Sequence, residues 1–289
     1  MTRRYTQLAW AAAVCTYLLI ILGAIVRITG SGLGCGEHWP LCNGRLLPPL
    51  DLPTLIEYGH RLAAALVSIL VIAVAGYSFW LRRETGNEKG ETPPTPRPTT
   101  VGYVALGLLA LQVALGAITV KTGLTPTMVV LHLATAMLLL GVLLVAARGS
   151  RLTPGTPGLR PGSAVPLGLG SITVLLGALT ANLGAATACL GFPLCDGQLV
   201  PAGDSLQGIH WAHRLLAYTL TVYVAVWALR TRRRGPLVLL GLVAVQVAIA
   251  AAMVLLALPG PLQAAHVAVG TAVWAGLVLV ALPPGAKPT

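Results

Sequence analysis

The chain has 289 residues, of which 56% are hydrophobic and only 9% are charged, and its formal net charge is +11. Soluble globular domains carry about 25% charged residues, and disordered chains are poor in apolar side chains, so this composition excludes both classes. The basic residues lie in short loops between apolar runs. This arrangement favours membrane topology over nucleic-acid binding, so we expect membrane lipid as a partner and no nucleic acid.

Eight apolar runs follow one another along the chain, and each is close to the roughly 20 residues that a helix needs to cross a bilayer. They predict an all-α integral membrane protein with eight transmembrane helices. The runs cover residues 8–26, 57–81, 101–120, 127–147, 164–183, 207–229, 235–258 and 262–282.

The basic residues divide unequally between the two sides of the membrane. One side comprises both termini and the loops after helices 2, 4 and 6, and within it the polar, proline-rich residues 84–100 predict a linker. This side carries 14 Lys and Arg and the other carries 3, so both termini and the linker are predicted to be cytoplasmic. The 14 are Arg3, Arg4, Arg82, Arg83, Lys89, Arg97, Arg148, Arg151, Arg160, Arg230, Arg232, Arg233, Arg234 and Lys287, and the 3 are Arg27, Arg45 and Lys121.

An internal repeat relates the two halves of the chain. The segment PLCNGRLLP at 40–48 recurs as PLCDGQLVP at 193–201, and the pair His60-Arg61 recurs as His213-Arg214, both at an offset of 153. LQVA at 111–114 recurs as VQVA at 245–248, and His132 recurs as His266, both at an offset of 134. Each half holds four predicted helices, an even number, so both halves insert the same way up. The sequence therefore predicts a parallel repeat of two pseudo-symmetric four-helix bundles, residues 1–148 and 149–289.

Four histidines lie inside apolar runs, where a polar side chain is costly and usually marks function. A single such histidine can equally be explained by a hydrogen bond to a neighbouring helix. The repeat changes that balance, because each half places one histidine on its second helix and one on its fourth, all near the outer end. Two imidazoles from facing helices can ligate one heme iron from opposite sides. The pairs predict one heme-sized site in each half: His60 with His132, and His213 with His266.

Charged neighbours accompany these histidines. Arg61 and Arg214 follow two of them directly and could pair with heme propionates, or could extend to the membrane interface. Glu57 lies three residues before His60, on the same helix face, and its counterpart in the second half is His210. Glu57 is either an interfacial helix-start residue or an acid/base group beside a substrate. Because the halves agree on the histidines and differ here, we expect one half to do chemistry and the other to hold a cofactor.

Two pairs of cysteines lie in matching outer loops, and the outer side of a bacterial plasma membrane permits disulfides. The pairs Cys35–Cys42 and Cys189–Cys195 are therefore candidate disulfides, and the first is either redox-active or a structural staple. A zinc site that uses His38 is the competing interpretation, although the spacing is wide for zinc.

Taken together, these residues resemble the bacterial heme A synthase family over nearly the whole chain. The resemblance rests on Glu57-x-x-His60-Arg61, His132, His213-Arg214, His266 and the paired Cys35 and Cys42 after helix 1. It implies a plasma-membrane oxidoreductase of heme A biosynthesis that oxidises the C8 methyl group of heme O to a formyl group. The product, heme A, serves terminal oxidases. A heme O synthase, terminal oxidase assembly and further copies of the chain are the partners that it suggests.

The same resemblance assigns different hemes to the two halves. The first half would receive heme O as substrate, and the second would hold heme b as cofactor. Glu57 would be the catalytic residue, His60, His132 and Arg61 would bind heme O, His213 and His266 would be the axial ligands of heme b, and Arg214 would bind its propionates.

Two other function classes compete with this enzyme. One is a bis-histidine di-heme electron carrier of the b type, and the other is a transporter built on a parallel repeat with histidines as proton relays. Glu57 has no carboxylate counterpart in the second half, which favours the enzyme over the carrier. The lack of broken helices and of other buried carboxylates in the sequence counts against the transporter.

Overall fold

A computed structural model describes residues 2–46, 48–87, 98–148, 160 and 162–282. Within these residues the fold is all-α, and each of the eight long helices is long and apolar enough to cross a membrane. The predicted fold class and helix number are thereby confirmed. The helices are α1 (Arg3–Ile28), α2 (Leu52–Asn87), α3 (Pro98–Lys121), α4 (Pro126–Arg148), α5 (Ala164–Asn182), α6 (Ser205–Thr231), α7 (Arg234–Leu255) and α8 (Gly260–Ala281), with one short 3-10 turn at Ala185–Thr187.

The helices α2 and α6 begin earlier than their apolar runs predicted. Asp51 accepts the backbone N–H of Thr54 (3.1 Å) at the start of α2, and Asp204 accepts that of Gln207 (3.0 Å) at the start of α6. A side-chain cap of this kind satisfies a backbone donor that the first turn leaves unpaired. The hydrogen bonds from Thr54 also lower the pKa of the Asp51 carboxyl below its ordinary value. These caps, and not the first apolar residue, determine where the two helices start.

The predicted linker at 84–100 is shorter than expected. The helix α2 continues to Asn87 and α3 already begins at Pro98, so both ends of the predicted linker are helical. Arg and Glu have high helix propensity, so a helix can extend beyond the apolar residues that span the membrane. The remaining linker residues, 88–97, lie outside the described part of the chain.

Each half of the chain packs as a closed ring of four helices. Helix α1 contacts α2 and α4, and α3 contacts α2 and α4, while α5–α8 repeat this order of contacts. The halves meet where α4 packs on α5 and α8 and where α1 packs on α8. Helix α4 carries the most heavily buried stretch of this junction, including Leu139, Leu140 and Leu143. The rotation that would relate the two rings stays a prediction.

Candidate functional site

The four histidines lie at matched depths, measured along their helices. His60 comes eight residues after the first residue of α2, and His213 comes eight residues after the first residue of α6. His132 and His266 each come six residues after the first residues of α4 and α8. At a rise of about 1.5 Å per residue, these positions are roughly 12 Å and 9 Å from the helix starts. All four helices start at the end that carries the disulfide loops, so the histidines form one layer near that end.

In the first half, His60 and His132 lie close enough for a charge on one ring to act on the other. Both rings are half-buried, and the Nδ1 atoms of both are buried without a hydrogen-bond partner in the described structure. Glycines allow the rings to lie against the neighbouring helices: a Cβ on Gly23 would be 3.2 Å from Cε1 of His60, and one on Gly116 would be 3.1 Å from Cε1 of His132. The site therefore contains two half-buried imidazoles, each with a buried Nδ1 atom that has no described partner.

The second half pairs its histidines in the same way but holds one of them more firmly. His213 and His266 lie close enough for a charge on one ring to act on the other. His213 also lies against Gly177, where a Cβ would be 2.7 Å from its Cε1 atom. Nδ1 of His213 lies 3.1 Å from the backbone oxygen of Thr173. Because a carbonyl oxygen only accepts, Nδ1 carries the proton and Nε2 keeps its lone pair. That tautomer is the one in which Nε2 can ligate a metal ion.

Gln112 contacts His132, and Gln246 contacts His266. Neither glutamine is among the site residues predicted from the sequence. Nε2 of Gln112 on α3 lies 3.1 Å from Nε2 of His132. Nε2 of Gln246 on α7 lies 3.1 Å from Nδ1 and 3.3 Å from Nε2 of His266. Both glutamine Oε1 atoms are buried without a partner in the described residues. The signal was present, since both glutamines are in the repeated LQVA and VQVA segments.

These features fit a heme in each half. Heme iron accepts two axial imidazoles, and each half supplies two near the same depth, on helices that start at the same end. His60 and His132 retain unpartnered buried nitrogens, and His213 is fixed in the tautomer that leaves Nε2 free. His60 with His132 and His213 with His266 are therefore candidate iron ligands, and their binding of a heme stays a prediction.

Glu57 is the one buried carboxylate among the described residues, with 3% of its surface exposed. Its Oε1 accepts from the guanidinium of Arg61 at 2.5 Å, and its Oε2 accepts the backbone N–H of Cys35 at 2.7 Å. Because α2 begins at Leu52 and is capped by Asp51, Glu57 lies in the second turn. Glu57 is therefore not the cap of α2, and its position relative to the membrane interface stays a prediction. The Glu57 carboxyl group is buried, paired with Arg61 and one turn away from His60.

The matching position in the second half is His210, which also contacts the backbone and the arginine four residues later, but donates to the backbone where Glu57 accepts. Nδ1 of His210 lies 3.0 Å from the backbone oxygen of Ala185, and Nε of Arg214 donates to Nε2 of His210 at 3.2 Å. Arginine can only donate, so Nε2 is unprotonated and the ring is neutral. The repeat therefore places a carboxylate beside one histidine pair and a neutral imidazole beside the other.

Arg61 and Arg214 hold the outer loops through contacts that also repeat at an offset of 153. Nη1 of Arg61 donates to the backbone oxygens of His38 and Leu41, both at 2.8 Å. Nη1 of Arg214 donates to those of Gly191 and Leu194, both at 2.9 Å. The two guanidiniums are thus anchors of the loops above the histidine layer. A contact of either arginine with a heme propionate stays a prediction.

Both predicted disulfides are formed. Cys35 is bonded to Cys42 with an S–S distance of 1.99 Å, and Cys189 is bonded to Cys195 with an S–S distance of 1.94 Å. The sulfurs of the first loop are therefore not available to a zinc ion, which rules out the zinc interpretation with His38. Among the described cysteines, Cys15 is free.

Comparison with known proteins identifies the family. The sequence matches the family described as cytochrome oxidase assembly protein over residues 6–278. The heme A synthase of Symbiobacterium thermophilum is 32% identical over 255 residues, which are 80% of this chain and 79% of that protein. The heme A synthase of Shouchella clausii is 30% identical over 231 residues, which are 75% of this chain and 73% of that protein. The chain therefore belongs to the heme A synthase family of cytochrome oxidase assembly proteins.

Proposed function

We propose that this protein is a heme A synthase, an oxidoreductase that converts the C8 methyl group of heme O to a formyl group. One observation carries the proposal: the two halves share their histidine pairs, but only the first places a buried carboxylate, Glu57, beside its pair. An electron carrier with two equivalent hemes has no use for this difference. The names of the relatives favour the enzyme over the carrier as well.

The two halves divide the work. His60 and His132, in residues 1–148, bind the substrate heme O, and His213 and His266, in residues 149–289, bind heme b. The hydrogen bond from His213 to the Thr173 carbonyl supports this assignment, because a ligand fixed in one orientation suits a resident cofactor. His60 has no such partner, which suits a ligand that must exchange substrate and product.

In this site Glu57 acts on the substrate methyl group. With water as the oxygen source, the conversion is R–CH3 + H2O → R–CHO + 4 H+ + 4 e−, so an external acceptor must take the electrons. Electron loss creates positive charge at the methyl carbon. A carboxylate beside that carbon stabilises the charge and accepts a proton. Arg61 and the Cys35 N–H hold the carboxylate in place, so little reorganisation is needed during the reaction. Heme b, when bound, supplies one-electron redox chemistry.

We further propose that the protein resides in a bacterial plasma membrane with both termini cytoplasmic, on the basis of the unequal distribution of basic residues. A heme O synthase, terminal oxidase assembly and other copies of the chain are partners that this role suggests. The loops 27–56 and 184–206 would then face outward. Single cysteines introduced into these loops should react with an impermeant maleimide in intact cells, and a cysteine introduced in 84–100 should not. Labelling in 84–100 would overturn the orientation.

Co-expression with a heme O synthase tests the function. The purified protein should contain heme b together with heme O or heme A, as measured by absorption spectroscopy and chromatography of extracted hemes. Heme A should appear only when both proteins are present. Protein that contains heme b alone and never yields heme A would instead be the electron carrier.

A further inference from the structure

Three arginines line a cavity at the end of the helices opposite the disulfide loops, far from the histidine layer. Arg148 ends α4, Arg160 precedes α5 and Arg234 begins α7. The cavity has a volume of about 450 Å³. It lies at the junction of the two halves, because its lining comes from α4 of the first and from α7 and α8 of the second.

Below this basic rim the cavity wall is apolar. Val238, Leu239 and Leu242 line it from α7, and Leu279 and Val280 line it from α8. Val238 is 65% exposed, whereas Leu239 is 1% exposed. The result is a groove between two membrane helices with cations at its mouth and hydrocarbon along its length. A ligand that fits it carries a negative group joined to an apolar chain.

The three arginines of the rim carry positive charge, and no carboxylate with a described side chain lies near enough to neutralise it. Nε of Arg148 is buried and has no hydrogen-bond partner among the described residues, and a buried unpaired donor on a cation is costly. The carboxylates with described side chains are Glu37, Asp51, Glu57, Asp196 and Asp204, all at the opposite end of the helices. The side chains of Glu84, Glu88 and Glu91 lie outside the described residues.

The unequal distribution of basic residues across the membrane explains why arginines are found at this end of the molecule. It does not explain why three of them line one cavity. Arg230, Arg232 and Arg233 lie at the same end and do not line the cavity. Basic pockets between transmembrane helices are the usual binding sites for anionic lipid headgroups. A guanidinium also matches a phosphate better than a lysine does, because its fork forms two parallel hydrogen bonds.

We propose that this cavity is a binding site for an anionic phospholipid. Its phosphate lies between Arg148, Arg160 and Arg234, and one acyl chain follows the groove past Val238 between α7 and α8. A lipid bound there would contact both halves of the chain and help to fix the junction between them. The site is separate from the histidine layer, so this proposal does not depend on the proposed function.

Native mass spectrometry of the detergent-purified, heme-loaded protein tests the proposal, with phosphatidylglycerol as probe and phosphatidylcholine of the same chains as comparison. The wild type should retain phosphatidylglycerol selectively. Basic residues near a lipid surface each contribute about a fivefold factor in binding. The triple variant Arg148→Gln, Arg160→Gln, Arg234→Gln should therefore lower the affinity for phosphatidylglycerol on the order of 100-fold.

The matched control is the triple variant Arg230→Gln, Arg232→Gln, Arg233→Gln, which removes the same charge from the same end outside the cavity. It should bind phosphatidylglycerol as the wild type does. Equal loss in both triple variants, or no loss in the first, would overturn the site. If the first triple variant does not fold, Arg234→Gln alone replaces it, because Arg234 is exposed and should still lower the affinity about fivefold.

A second variant tests the groove itself. Val238→Trp should fill the groove at an exposed position and weaken phosphatidylglycerol binding without changing the binding of glycerol phosphate, which has the headgroup and no chains. Glycerol phosphate that binds the wild type as tightly as the lipid does would show a site for free anions, and the lipid proposal would then be wrong.

Discussion

The outer loops of the two halves share a framework and differ at one position. Arg61 and Arg214 donate to backbone oxygens that correspond at an offset of 153. The residue four positions before each of these arginines is Glu57 in the first half and His210 in the second. Duplication has therefore kept the contacts that hold each loop and has changed the charge beside the histidine layer. In a repeat protein, such a position is where the functions of the halves diverge.

The same comparison extends to the histidines. Nδ1 of His213 donates to the Thr173 carbonyl, whereas Nδ1 of His60 is buried without a partner in the described residues. A carbonyl partner fixes the orientation of a ligand ring. The half with the neutral His210 thus also has the more rigid ligand, and both differences agree with a resident cofactor in the second half and chemistry in the first.

The largest effect is expected from Glu57→Gln, which keeps the shape of the side chain and removes its charge. The amide oxygen can still accept the Cys35 N–H. The amide NH2 cannot accept from Arg61, but Arg61 keeps its bonds to the His38 and Leu41 carbonyls, so the loop and the heme b content should stay near wild type. Loss of an acid/base group costs about 100-fold or more in rate, so heme A formation in the co-expression assay should fall by at least about that factor. Heme O or a partly oxidised heme should accumulate.

The control for this variant is Glu37→Gln, which changes an exposed carboxylate in the same outer loop. It should leave heme A formation unchanged. If Glu57→Gln makes heme A at the wild-type rate, the carboxylate serves only to anchor the loop, and the difference between the halves carries no chemistry.

Alanine variants of the four histidines should separate the halves. His213→Ala and His266→Ala each remove an axial ligand of heme b and should abolish most heme b retention. His60→Ala and His132→Ala should retain heme b and lose heme A formation. The heme b content of each purified variant, measured by its absorption spectrum, checks this. Equal loss of heme b from all four variants would contradict the division of labour.

The helices and both disulfides could be predicted, because apolar runs and paired cysteines are visible in the sequence, whereas the histidine pairs as heme ligands stay a prediction. The partners of Arg61 could not be predicted. The sequence suggests that Arg61 pairs with heme propionates or extends to the membrane interface, whereas the structure shows bonds to the carbonyls of His38 and Leu41. Which carbonyls face a guanidinium depends on the path of the loop backbone, and every residue carries the same carbonyl.

The start of α2 and the contacts of two glutamines were not predicted from the sequence, each for its own reason. The start of α2 was placed too late because its cap, Asp51, lies outside the apolar run. The contacts of Gln112 with His132 and of Gln246 with His266 were missed although both glutamines are in the repeat. The sequence does not show towards which neighbouring helix a polar side chain points. The packing of α3 on α4 and of α7 on α8 determines which histidine each glutamine contacts.

Removing one disulfide at a time should have a moderate and unequal effect. The rings are small, with sequence separations of 7 and 6, so each bond should contribute about 2–3 kcal/mol to the free energy of unfolding. Cys189→Ser with Cys195→Ser should lower the thermal midpoint and spare activity. Cys35→Ser with Cys42→Ser should lower both, because the Cys35 N–H positions Glu57.

Thermal unfolding and heme A formation, measured on the same preparations, separate the two effects. Equal activity in both double variants would show that Glu57 keeps its place without the first disulfide. Retained activity after loss of Cys35 and Cys42 would also exclude a redox role for this pair.

The smallest effect is expected where the halves match most closely. The hydroxyl of Tyr58 donates to the Leu46 carbonyl at 2.7 Å, and the indole N–H of Trp211 donates to the Leu199 carbonyl at 2.8 Å. Both bonds are exposed, so water can replace the donor, and Tyr58→Phe should cost only about 0.5 kcal/mol of stability. Trp211→Phe should cost somewhat more, since it also removes part of an aromatic ring.

Neither of these two variants should change heme A formation, because both bonds only fasten a loop to the helix that follows it. Matched losses of thermal stability with unchanged activity would confine the difference between the halves to the surroundings of the histidines. If Tyr58→Phe lowers heme A formation while Trp211→Phe does not, the first loop takes part in the reaction beyond Glu57. The functional asymmetry would then extend to the whole segment between Cys35 and Tyr58, although its hydrogen bonds repeat in the second half.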